Sequence, residues 1–201
     1  MKLQQIYQSI LVRFYKPSLL KQEKDASIKE KIEWVAAVIY EAPEFTRRAK
    51  IAANELGAGS IHLLEIELHG TFNPPEYLSE KFAGLGDWLA ARQFAIFEIL
   101  FHIGSLSLPL LRKVAFGKYD WTQGNAIEIL CRLAAQNVER EQIIAELKQF
   151  IPNCDLNYEV LSYAIMPLIS HAKFNESLQQ VVRELMADET FKEVYIKYSA
   201  G

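Results

Sequence analysis

An apolar residue, a glutamate and further apolar residues recur along this chain at almost constant spacing. The pattern reads Ile32-Glu33-Trp34-Val35, Leu64-Glu65-Ile66, Phe97-Glu98-Ile99-Leu100, Ile127-Glu128-Ile129-Leu130 and Tyr158-Glu159-Val160-Leu161. Its glutamates lie 32, 33, 30 and 31 residues apart. Self-similarity with a period of about 20–50 residues marks a repeat architecture, whose units bury their apolar faces only against one another.

Composition narrows the choice of units. Half of the 201 residues are hydrophobic and 23% are charged, which predicts an ordered chain with one core or a short stack of repeats. The net charge of −3 argues against a general nucleic-acid binder, because phosphate contacts need clustered Lys and Arg. The apolar run Phe94–Ile103 is interrupted by Glu98 and His102 and falls short of a membrane span. Glutamines occupy the amino-terminal stretch where a secretory signal needs an apolar segment. The two cysteines, Cys131 and Cys154, have no metal-type spacing and imply neither a disulfide framework nor an oxidising compartment. The expectation is a cytoplasmic protein with no membrane contact and no cofactor.

Glycine and proline divide the chain at Pro17, Pro43, Gly57/Gly59, Gly70 with Pro74-Pro75, Gly84/Gly86, Gly104, Gly117, Pro152 and around Asn175. Between these breakers apolar residues keep a 3.6-residue period, as in Ile143, Ile144, Leu147, Phe150 and Ile151, and no run alternates with period two. All-α structure follows. Ser27-x-x-Glu30 reads as a capping box, Ser107 and Asp188 as N-caps, and Pro75 and Pro109 as helix starts. The predicted pairs are 2–16 with 26–41, 44–57 with 60–69, 75–83 with 87–103, 107–117 with 120–136, 139–150 with 156–170, and 175–187 with 188–199. Six hairpins in one domain, 1–201, average about 33 residues each, the size of a helical-hairpin repeat. Each recurring glutamate then falls on the second helix of its pair.

The clearest unit is Leu106 to Ala135. Leu-Pro-Leu-Leu opens a first helix, Asp120 sits in the turn, and Ala and Leu follow at core spacing on a second helix. The preceding unit places Asp87 in its turn, then Arg92, Ala95 and Leu100. Over about residues 85–170 this resembles the HEAT and armadillo-like repeats. The resemblance implies a right-handed superhelical α-α stack used as a binding scaffold, with a ladder of turn aspartates and helix arginines to which Asp87 and Arg92 correspond. Asn125 stands near the arginine position after Asp120. No catalytic motif comes with the resemblance.

At 100° per residue the glutamates fall on polar stripes of their helices: Ala91, Ala95, Glu98 and His102; Trp121, Asn125, Glu128 and Arg132; Glu159, Ser162, Tyr163 and Met166. Helices packed about 8–10 Å apart would align these stripes into one acidic groove. The same stripes are also what amphipathic helices turn toward water. The candidate partner-binding residues are Glu98, His102, Trp121, Asn125, Glu128, Arg132, Glu159 and Tyr163. The function this predicts is a non-enzymatic scaffold or adaptor for a cationic partner, another protein or basic peptide, an inhibitor or immunity-type protein being one concrete form. The alternative is a HEAT-like enzyme or enzyme subunit of the metal-dependent hydroxylase or tetrapyrrole-lyase type. Against it, Glu65–His69 and Glu98–His102 lack the Glu-x-x-His spacing of carboxylate-bridged metal bundles. Cys131 reads as an inert core thiol. Oligomeric state is left open.

Overall fold

A computed structural model describes residues 27–70, 73–118, 121–153 and 157–199. The predicted helix 2–16, Asp120, Cys154 and the side chain of Tyr158 lie outside the described residues. The helices are α1 (27–36), α2 (Ala42–Leu56), α3 (Ile61–Glu67), α4 (Asp87–Ile103), α5 (Leu108–Ala115), α6 (Thr122–Ala135), α7 (Arg140–Phe150), α8 (Asn157–Ala172), α9 (Glu176–Leu185) and α10 (Glu189–Ser199). The described residues form no strand, as the 3.6-residue periodicity requires.

Helix α6 is central. All its residues except Arg132 and Ala135 are buried. It touches α4, α5, α7, α8 and α9, and Leu111, Ile127, Leu130, Ile143 and Leu147 meet around it without exposure. α2 packs on α4, α4 on α6, α6 on α8 and α8 on α10, so the even-numbered helices form one row. Of the odd-numbered helices, α3 packs on α4, and α5, α7 and α9 pack on α6. α1 is tied to α2 by a hydrogen bond from Arg48 Nη1 to the Trp34 carbonyl (2.8 Å) and an ion pair between Lys31 and Glu55.

The pairing differs from the predicted one in its first half. Residues 75–83 form no helix, only a 3-10 turn at Glu76–Leu78. Pro74-Pro75 on one side and Gly84 and Gly86 on the other leave too short a run of helix-forming residues between them. α3 therefore takes the place beside α4, and α2 joins the row that the sequence reserves for second helices. Glu33 and Glu65 end up on odd-numbered helices, away from the row that carries Glu98, Glu128 and Glu159.

Local signals fare unevenly. Asp188 caps α10, accepting from the Phe191 N–H at 2.9 Å, and Asn175 caps α9 through Leu178 at 3.0 Å. Ser107 does not cap α5; its hydroxyl donates back to the Gly104 carbonyl at 2.7 Å. Asp87 and Arg92 do not meet in a ladder. Asp87 accepts from the Gly84 N–H, and the buried Arg92 pairs with Glu67 of α3. The stretch Asp87–Ala115 is long and apolar enough to cross a membrane by composition, but 61% of its most apolar window is buried in the fold. Most of that apolar surface is core; Phe94 and Leu106 are exposed.

Gly124 sets how α6 meets α8. A Cβ placed there would lie 2.5 Å from both Tyr163 Cβ and the Val160 carbonyl oxygen, so the two backbones approach more closely than any side chain permits. Gly-to-Ala in an ordinary helix interior stabilises by about 1 kcal/mol. Gly124→Ala should have the opposite sign, with a loss of about 1–3 kcal/mol from overpacking. Urea unfolding of the variant measures it, and a gain in stability would show that α6 and α8 do not cross at this contact.

Candidate functional site

Arginine on a buried helix must bring its counter-charge with it. Arg132, on the last turn of α6, forms a fork with Glu98 of α4: Nη1 to Oε2 at 2.7 Å and Nη2 to Oε1 at 2.8 Å. Two parallel charge-assisted bonds are the strongest arrangement this pair of groups offers. The guanidinium also lies 3.9 Å from the Phe101 ring centroid, in cation–π contact. Glu128, one turn before Arg132, receives only a 3.4 Å bond from Nη1 to Oε1. Its second oxygen, Oε2, takes no hydrogen bond from the described residues.

Two histidines flank the carboxylates. His102 Nε2 lies 3.4 Å from Glu98 Oε1 but out of line for a hydrogen bond. His171 Nε2, on α8, lies 3.6 Å from Glu128 Oε1. Two acids thus share one guanidinium. Burial pushes Glu98 up, but His102 and the Arg132 fork outweigh it and hold its carboxyl at about 2. Burial pushes Glu128 up to about 7, which Arg132 only partly opposes and the charge of Glu98 reinforces. His171 is pushed down, by burial and then by Arg132. Cys131, wholly buried, is held as an unreactive thiol by burial and by the neighbouring Glu128.

A cavity of about 200 Å³ opens on this cluster, lined by Glu98, Asn125, Glu128, Arg132 and His171, with Phe45, Phe94, Phe97, Ile129 and Pro167 as apolar walls. α4 and α6 face it with α2 and α8 on either side. Asn125 is 3% exposed, and its Nδ2 has no hydrogen-bond partner. Among the described residues no three His, Cys, Asp or Glu side chains are grouped to hold a metal ion.

Of the predicted site residues, Glu98, His102, Asn125, Glu128 and Arg132 come together here. Trp121, just before α6, and Tyr163 of α8 form a ring pair at 6.5 Å; Phe94, in the cavity wall, and Tyr163 and Met166 of α8 are exposed. The groove of three open carboxylates does not form. Glu98 and Glu128 are buried, and Glu159 is exposed about 12 residues, or roughly 18 Å of helix, along α8 from His171. The helices meet out of step with the repeat: Glu98 meets Arg132, 34 residues on, and Glu128 meets His171 rather than anything near Glu159. The sequence reading missed His171, Phe45 and Pro167. It ended α8 at 170, although the stripe through Tyr163 and Met166 continues to His171.

The two glutamates should answer mutation oppositely. Glu98→Gln strips the fork and leaves Arg132 buried with one distant partner, a loss of about 3–5 kcal/mol at pH 7. Glu128 binds its proton more tightly folded than unfolded, where its ordinary value is 4.5. Its contribution to stability is therefore present below about 4.5 and is lost as pH rises through about 7. The charged or titratable groups around it are Arg132 of its own helix, His171 of α8 and Glu98 of α4, with His102 on the far side beside Glu98. Glu128→Gln keeps the neutral shape at every pH, so it should be as stable as the parent near pH 4 and more stable at pH 8. Urea midpoints at both pH values test this, and equal losses from the two substitutions would refute the division of roles.

No family model, curated protein or solved structure matches this chain.

Proposed function

We propose that the chain is a non-enzymatic helical-repeat scaffold of HEAT/armadillo type, which binds a cationic partner, a basic protein or peptide segment, at the face shared by α4, α6 and α8. The successive packing of the even-numbered helices supports the repeat reading. One observation carries the binding reading: a cavity lined by two carboxylates and a single guanidinium, with the exposed Phe94 in its wall; the exposed Tyr163 and Met166 stand on α8 one turn and one residue before its Pro167. A buried acid with too little counter-charge favours an incoming cation, and exposed aromatic and methionine side chains supply the apolar contact that binding hot spots use. The acidity acts at one point in a pocket and not along a groove.

A second reading, an enzyme or enzyme subunit, draws on Glu128 alone. A carboxyl held near 7 beside a cavity is poised for proton transfer. Among the described residues that line the cavity there is no thiol, and the one hydroxyl is that of Thr46. Cys131 is held as a thiol, and the Arg132 fork is closed on Glu98.

Selection from a displayed library of randomised peptides tests the binding reading. Enriched peptides should carry net positive charge and at least one large apolar residue, and their affinity should fall as salt rises. The double variant Phe94→Ala/Tyr163→Ala, at exposed positions, should weaken them by about tenfold while leaving the fold intact. Enrichment of acidic peptides, or indifference to the double variant, would remove the reading.

A further inference from the structure

We propose that the cavity captures the amino terminus of a peptide, setting its α-ammonium against Glu128 and its first carbonyl against Asn125. This rests on the cationic-partner reading and names the cation. Two bonding capacities stand unfilled on one face of α6. Asn125, 3% exposed and lining the cavity, has an Nδ2 without a partner. Glu128 shares Oε1 with Arg132 at 3.4 Å and His171 at 3.6 Å, and its Oε2 takes no hydrogen bond from the described residues. Three residues apart on a helix, the two side chains start about 5–6 Å from one another. One side asks for a positive donor and the other for an acceptor.

In the first residue of a peptide those two groups are separated by a single Cα and the carbonyl carbon, so one rigid unit can serve both. A lysine or arginine side chain would satisfy Glu128 and leave the Asn125 N–H buried without an acceptor, an outcome folded proteins avoid. A free amino acid would bring a third carboxylate beside Glu98 and Glu128, whereas a peptide carbonyl is neutral. The space agrees. About 200 Å³ exceeds the roughly 150 Å³ that holds a benzene ring and lies below the roughly 300–1,000 Å³ of drug-sized sites. It suits one residue, with Phe94, Phe97, Ile129 and Pro167 as walls for the first side chain. The peptide would then leave past the exposed Tyr163 and Met166. Capture of a terminal amine by fixed acceptors is an established mode of peptide recognition.

The test titrates the whole chain with small probes, read by the Asn125 side-chain amide resonances and by calorimetry. L-leucinamide should shift those resonances saturably. N-acetyl-L-leucinamide, which lacks the charge, and isopentylamine, which lacks the carbonyl, should each bind about tenfold or more weakly, the scale of one hydrogen bond to a charged group. Asn125→Ala should bring L-leucinamide down to the level of isopentylamine, and Glu128→Gln should abolish the preference for the free amine. The first three arms use the unmodified chain and do not depend on how a variant folds. If N-acetyl-L-argininamide binds as well as L-leucinamide, the cavity takes a side-chain cation; the capture proposal fails and the cationic-partner reading survives. If L-leucine binds as tightly as its amide, the ligand is a free amino acid and the peptide-terminus proposal fails. If no probe moves the Asn125 resonances, the cavity is no terminus site, and the partner reading is then decided by the peptide selection alone.

Discussion

A guanidinium can give one carboxylate a full fork, and a second carboxylate must take what is left. Arg132 gives its fork to Glu98, and Glu128 receives a single long bond. Because α6 is enclosed by five other helices, only the cavity side is left to make up the difference. The two acids, similar in sequence context, therefore become different chemical groups: one a fixed anion that completes an ion pair, the other a carboxyl held near neutrality. The pair also links α4 to α6 across the middle of the row, with the Phe101 ring as its apolar cover.

The geometry around that pair follows from two residues with no polar function. Gly124 lets α6 and α8 touch at the backbone, which fixes how far α8 slides along α6 and brings His171 to Glu128. Pro167, inside α8, has no N–H to give the Tyr163 carbonyl, and its ring forms part of the cavity wall. Core packing thus sets the register, and the register decides which polar groups share the cavity. A buried acid that lacks a full partner is costly in a finished core. At the edge of a cavity it is a place where an incoming group can gain more than it would in water.

Much of this was legible in the sequence, and the failures have physical causes. The 3.6-residue period gave α4 and α6 to α10 nearly to the residue, and three of the stripe Trp121, Asn125, Glu128, Arg132 line the cavity, while Trp121 pairs with Tyr163. Burial of that stripe was not legible, because Glu and Asn read as wet positions until the helices above them are known. The recurrence of glutamates suggested equivalent sites; it marks similar helices instead, since register depends on contacts such as Gly124 with Val160, far apart in the chain. Arg92 could not be assigned to Glu67 from local pattern either, because its partner entered only when residues 75–83 failed to form a helix and α3 moved in beside α4.

The central claim is that one arginine divides two buried glutamates into a fixed anion and a near-neutral acid. Carbon-13 NMR of the side-chain carboxyls, followed from pH 2 to 9 in the folded protein, tests this most directly. The account predicts that Glu128 titrates near 7 and that Glu98 stays ionised down to the acid end of the range. Titration of both carboxyls together near the ordinary value of 4.5 would contradict it.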